Sequence, residues 1–299
     1  MSTLEKGTDP GAAQNSAPEP TVSDETVVID GTATAEADVV GATPTLAQSQ
    51  AMLDQYVDTL ARQKDVWAKL PLTEKFHHIM EMRRKLGEVD DRWVQLSAQA
   101  KGLPQDSQLL GEEWANGPWT TAHALNRYAD TFHTLEHGDD LLDHVGKVHT
   151  RKDGQVIVDV APINFYENLF LNGVRAELWM EPDVTPENLR ENMAEFYRDP
   201  DPQGKVALVL GAGNVASIAP LDVLHKLFSE GQVVMLKLNP VNDYLAPIFE
   251  ELFESLIAYG FVRIISGDAD VGAYLVDLSL IHISEPTRHI CLSRMPSSA

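Results

Sequence analysis

The sequence predicts an α/β protein in which a series of helices leads into the first strands of a parallel sheet. Apolar residues recur at helical spacing from Leu46 to Leu135, the periodicity of amphipathic helices. Three short, continuously apolar segments, "VALVL" at 206–210, "VVML" at 233–236 and "FVRII" at 261–265, alternate with helical patterns, as strands covered on both faces of a parallel sheet do. Between these two textures an Asp-Gly pair at Asp153-Gly154 separates two short alternating segments and supplies the positive φ angles of a tight hairpin.

From residue 1 to about residue 45 the chain is Ala, Thr, Pro, Glu, Asp and Gly with scattered valines, too poor in large apolar groups to offset the entropy of ordering. This part is expected to be a disordered tail. Leu46, Met52, Leu53, Tyr56, Val57 and Leu60 then share one helical face, and Trp67, Leu70, Phe76, Ile79, Met80 and Leu86 continue the pattern beyond a break at Pro71. "KGLPQDS" ends a third helix, and an amphipathic run follows from Trp114 to Leu135. "KVHTRKDGQVIVDVAP" reads as a β-hairpin. "GVRAELWMEPDVTPENLRENMAEFY" reads as a strand and then a helix capped by Thr185, with Pro186 in its first turn.

The 299 residues carry a formal charge of −22. Such a surface repels nucleic acid and anionic membrane, so neither is an expected partner. No apolar run approaches the roughly 20 residues of a membrane helix, and the first residues lack the basic start and apolar core of a signal peptide. One cysteine, Cys291, excludes an internal disulfide framework and suits a reducing compartment, so a cytoplasmic location is expected.

Gly211, Gly213 and Ala216 form a G-x-G-x-x-A pattern after an apolar strand, as in a dinucleotide-binding turn. The acidic residue expected about 20 positions on is missing: the second strand ends in Lys237, and Pro220 interrupts the helix. The plainer alternative is a strand–helix turn that needs small residues.

Taken together, "GAGNV", "FSEGQVVMLKLNP" and "GFVRIISGDADVG" resemble the cofactor-binding domain of the aldehyde dehydrogenase superfamily, and "ARQKDVWAKLPLTEKFHHIMEMRRKL" and "LLGEEW" resemble its opening helices. The resemblance runs from about residue 46 to about residue 277. It implies a parallel, Rossmann-like cofactor-binding sheet of aldehyde dehydrogenase type, incomplete in this chain, and NAD or NADP as cofactor. Asn214 would be the catalytic amide that donates to the oxygen made negative by thiolate attack on an aldehyde. Lys237 would bind the adenosine ribose. Gly267 and Gly272 would allow backbone and helix to approach the cofactor. A small aldehyde or acyl substrate and a homo-oligomeric parent protein also follow from the resemblance. Gly213, Gln232, Leu238 and Pro240 depart from the family pattern. "GAGNV" is also similar to acyl-CoA reductases within the superfamily.

Other residues have plainer readings. His123, His133 and His137 lack a third ligand at fixed spacing, so no metal site is expected. The His77-His78 pair reads as a solvated helix face, Trp67, Trp93, Trp114 and Trp119 as packing residues, and Asp222 as a cap or surface acid. Asn164 and Tyr166 in "APINFYENLF" imitate an Asn-aromatic motif, but the strand, helix and lysine that follow Asn214 favour Asn214.

The segment 278–299, "LSLIHISEPTRHICLSRMPSSA", resembles the in-frame translation of a transposase sequencing adapter, in two parts and in the right order. It is expected to be a non-native tail, with at most a short strand near Ile281 to Ile283, and Cys291 within it is not expected to act as a nucleophile. The expected function is the front portion, 46–277, of an NAD(P)-dependent aldehyde dehydrogenase lacking its catalytic cysteine and glutamate. The alternatives are an acyl-CoA reductase of the same superfamily, a non-catalytic nucleotide-binding protein and an ordinary Rossmann dehydrogenase.

Overall fold

The structure, a computed structural model, describes residues 46–278 and the backbone of 282–283. The expected tail at 1–45, and Cys291 with most of the segment after residue 278, lie outside the described residues. Two long helices open the fold, α1 (Leu46–Ala68) and α2 (Leu72–Ala100), parted at Pro71, whose ψ of 151° is extended. Three helices were expected before Lys101. The structure has two because the buried row Ile79, Met82, Leu86, Val89 and Trp93 of α2 runs unbroken past Gly87, and one interior glycine costs only about 1 kcal/mol against that burial.

The run 110–137 is one helical rod made of α3 (Leu110–Trp114), a π-helical turn at Ala115–Trp119 and α4 (Thr120–His137). Pro118 lies inside the π turn and has no N–H to give the ladder. The Thr120 and Thr121 hydroxyls donate to the Ala115 and Gly117 carbonyls there.

An antiparallel sheet of β1 (Val148–Thr150), β2 (Val156–Ala161) and β3 (Ala176–Trp179) follows, in that order across the sheet. In the hairpin turn Gly154 has φ 92° but Asp153 does not take a positive φ, so the glycine alone supplies the positive angle expected of the pair, with Gly154 N donating to the Arg151 carbonyl at 3.0 Å. Helix α5 (Phe165–Phe170) sits between β2 and β3.

The helix expected after Thr185 is replaced by two short 3₁₀ turns, Leu189–Asn192 and Glu195–Arg198. Side chains take up backbone groups there. Asn188 Nδ2 donates to the Asp183 carbonyl, Asn192 Nδ2 to Asn188, and the Arg198 guanidinium to Met193 and Arg190. Such local bonds compete with helix.

The second sheet is parallel, with strands β4 (Val206–Leu210), β5 (Val233–Lys237), β6 (Val262–Ile265) and β7 (His282–Ile283) in the order β6-β5-β4-β7. Val206 pairs with Val233, Val234 with Val262 and Ala207 with His282. Helices α6 (Ile218–Leu224), α7 (Ala246–Leu252), α8 (Glu254–Ala258) and α9 (Ala269–Asp277) connect and flank these strands.

Every residue of β5 is buried, which explains its lack of polar alternation. Helix α6 runs through Pro220, since a first-turn residue has no intrahelical N–H bond to lose. Trp67 of α1 is fully buried, and its Nε1 donates to the Leu227 carbonyl at 3.0 Å. This fixes the N-terminal helices to the segment before β5. At the entrance to β4 a Cβ on Gly204 would overlap the Lys64 carbonyl, so only glycine lets the strand pass the end of α1. Among the described residues, no helix is long and apolar enough to cross a membrane.

Candidate functional site

The carboxyl ends of parallel strands, where helices turn back, are where open α/β sheets bind ligands. Here β4, β5 and β6 end in Leu210, Lys237 and Ile265. A cleft of about 300 Å³ opens there. Lys237, Asn239 and Asp268 give it polar groups, Leu210, Leu238 and Val276 give it an apolar surface, and Gly211 and Gly272 complete the positions that matter here.

Lys237 is the last residue of β5 and only 7% exposed, and among the described residues it forms no ion pair. It is therefore well placed to meet hydroxyl or anionic groups of a ligand. A Cβ on Gly272 would meet nothing within 4 Å, so that glycine leaves free space on the cleft side of α9. Gly267 is not in the cleft wall. Its φ of 153° and the nearness of Val271, 2.8 Å from a Cβ placed there, make it the residue that lets the chain leave β6 and start α9.

Asp268 caps α9, its carboxylate accepting from Asp270 N at 3.1 Å and Val271 N at 3.2 Å. Asn239 lies opposite, and its Oδ1 accepts from Val241 N at 3.0 Å.

Asn214 is exposed in the loop between β4 and α6 and is not in the cleft wall. Among the described residues its side chain makes no hydrogen bond, while the loop itself is held at three points. Gly211 N donates to the Lys237 carbonyl at 2.8 Å, Ser217 N to the Asn116 carbonyl at 3.1 Å, and Asn242 Nδ2 to the Ala212 carbonyl at 2.9 Å. Asn242 is buried. It was not singled out in the sequence, because its partner is 30 residues away in the chain. Asp268 could have been found from the sequence, as an acid at the start of an apolar helical run.

The other singled-out residues have structural roles. Asn164 caps α5, exchanging bonds with Glu167, which also accepts from Arg127 and Ile163 N. His78, expected on a solvated face, is 6% exposed and packs among Trp67, Tyr259 and Phe261, with its Nδ1 3.0 Å from Ser255 Oγ. Burial lowers its pKa below the usual histidine value. Its row on α2 faces the core, so only His77 is solvated. Trp67 and Trp93 are buried, whereas Trp114 and Trp119 are exposed. Burial raises the pKa of Asp222. Among the described residues no three His, Cys, Asp or Glu side chains cluster as metal ligands would.

No protein-family model matches the sequence, and none of the curated proteins does. Solved structures similar to the chain include the glyceraldehyde-3-phosphate dehydrogenase GapN of Methanocaldococcus jannaschii complexed with NADP, at 14% identity and TM-score 0.49, covering 83% of this chain and 43% of that one. The NADP-dependent glyceraldehyde-3-phosphate dehydrogenase of Bacillus halodurans complexed with NADP is 13% identical, with TM-score 0.47 and coverage of 78% and 40%. PnpE of a Pseudomonas species, in complex with nicotinamide adenine dinucleotide, is 14% identical, with TM-score 0.44 and coverage of 78% and 38%. The chain spans about two-fifths of the length of these structures.

Proposed function

We propose that the chain supplies the nicotinamide-dinucleotide-binding portion of an NAD(P)-dependent oxidoreductase acting on a small aldehyde or acyl group. The observation that carries this reading is Lys237: a lysine without an ion pair among the described residues, lining a cleft at the carboxyl ends of parallel strands. The residues present fit half of a dinucleotide. The cleft, at about 300 Å³, is at the small end of ligand sites, which run from about 300 to 1,000 Å³. Its apolar surface suits a base, Lys237 suits ribose hydroxyls, and the space beside Gly272 admits backbone-close contact. The bound cofactor would supply hydride transfer.

Asn214 would donate a hydrogen bond to the oxygen that gains charge during acyl chemistry, a contribution of about a hundred- to a thousand-fold in rate for such donors. The nucleophilic thiol and general base would come from sequence beyond about residue 277, and Cys291 is not assigned that role. A homo-oligomeric parent protein in the cytoplasm belongs to the same reading.

Calorimetric titration of the full chain with NAD and NADP tests it. At least one should bind, and Lys237→Ala should weaken it about tenfold, the equivalent of one lost hydrogen bond to a charged group. Failure of both dinucleotides to bind would sink the proposal. Turnover of an aldehyde panel by this chain that vanishes in Cys291→Ser would overturn the assignment of the thiol elsewhere.

A further inference from the structure

We infer that the cleft selects the dinucleotide whose adenosine ribose carries no phosphate, NAD over NADP, and that Asp268 imposes the choice. This rests on the cofactor reading above. Among the described residues that line the cleft, Lys237 is the one cationic side chain and Asp268 the one carboxylate. The Asp268 carboxylate already accepts from Asp270 N and Val271 N at the head of the nine-residue α9. A helix start would otherwise attract a phosphate through those amides. Here they are occupied, and an approaching phosphate meets a carboxylate instead. The exposed Asp270 adds to the negative charge on the same turn.

A phosphate ester on the ribose carries nearly two negative charges at neutral pH, more than one ammonium can balance in a cleft whose wall also holds a carboxylate. A ribose diol satisfies both wall groups at once: one hydroxyl accepts from the Lys237 ammonium and the other donates to the Asp268 carboxylate. Asn239 has its Oδ1 engaged by Val241 N, so its Nδ2 remains as a further donor to a hydroxyl. Carboxylate recognition of the unphosphorylated diol is the chemistry that separates the two cofactors in other nucleotide folds, reached here from a helix cap instead of a strand end.

The test is separate titration of the full chain with NAD and NADP. NAD should bind tighter by about tenfold or more, as one nearby like charge would impose. Asp268→Asn and Asp268→Ser both keep a side chain that caps the helix and remove the charge, and each should shrink the NAD-to-NADP ratio about fivefold while leaving the melting temperature in place. NADP binding as tight as NAD to the unaltered chain would overturn the inference, and so would an unchanged ratio in both variants. Binding of neither dinucleotide would defeat the cofactor reading and this inference together. An NADP preference that Lys237→Ala abolishes would leave the cofactor reading standing and refute the role of Asp268.

Discussion

The parallel sheet and the antiparallel sheet of this chain meet solvent in opposite ways. All five residues of β5 are buried, and the surrounding core extends from Leu53 through Trp67, Trp93 and Phe249 to Leu275. The antiparallel sheet and α5 instead leave Phe165, Tyr166, Phe170, Leu178 and Trp179 exposed by 53–76%, above a small core of Val156, Val158, Val184 and Leu189. Apolar side chains therefore meet two different outcomes in the two regions. Where helices cover both faces, burial fixes the strands. Where one face is uncovered, ion pairs such as Arg175 with Asp159 and Glu177 lie on the surface, and pairs with so exposed a partner contribute little.

The sharpest way to break this comparison is to truncate one tryptophan from each region. Trp67→Ala should cost about 3–5 kcal/mol in urea unfolding, since it empties a fully buried site and leaves the Leu227 carbonyl unpaired. The same measurement on Trp179→Ala belongs at the other end of the scale.

A second, smaller effect separates buried charge from surface charge. Lys75 is 1% exposed, with its Nζ 5.0–5.2 Å from the ring centres of Trp67, Phe196 and Tyr197, and burial lowers its pKa to about 8 from 10.5. The folded value lies below the unfolded one, so the unfolded chain binds more protons between pH 8 and 10.5, and stability should rise with pH across that window by about 2–3 kcal/mol. Lys75→Met should flatten that rise. A curve that stays equally steep in the variant would show that another group carries it.

Smaller again is the loop that carries Asn214. Asn242→Ala removes the side-chain donor to the Ala212 carbonyl and should cost about 1–2 kcal/mol, with faster amide exchange confined to residues 211–217. Protection unchanged in that loop would mean that the Lys237 and Asn116 carbonyls suffice to hold it. The smallest effect is Trp179→Ala, 54% exposed at the edge strand, which should move stability by no more than about 0.5 kcal/mol. A loss approaching that of Trp67→Ala would erase the distinction between the regions.

Periodicity and turn chemistry made much of this architecture legible in the sequence. The apolar runs at β4, β5 and β6, the break at Pro71, the Asp-Gly hairpin and the helical pattern of α1 and α2 are all local signals, because a strand buried on both faces or a residue with fixed φ needs no distant partner to declare itself. Lys237 was legible as the residue that ends an apolar strand. The tertiary structure decided what depends on neighbours far along the chain. It buried His78 against Ser255 and Phe261, turned the segment after Thr185 into 3₁₀ turns held by side chains, and joined Asn242 to Ala212. It also put Lys237, Asp268 and Gly272 around one cleft while leaving Asn214 outside its wall. The physical reason is that side-chain hydrogen bonds and burial between distant residues are set by packing geometry, which no spacing along the chain encodes.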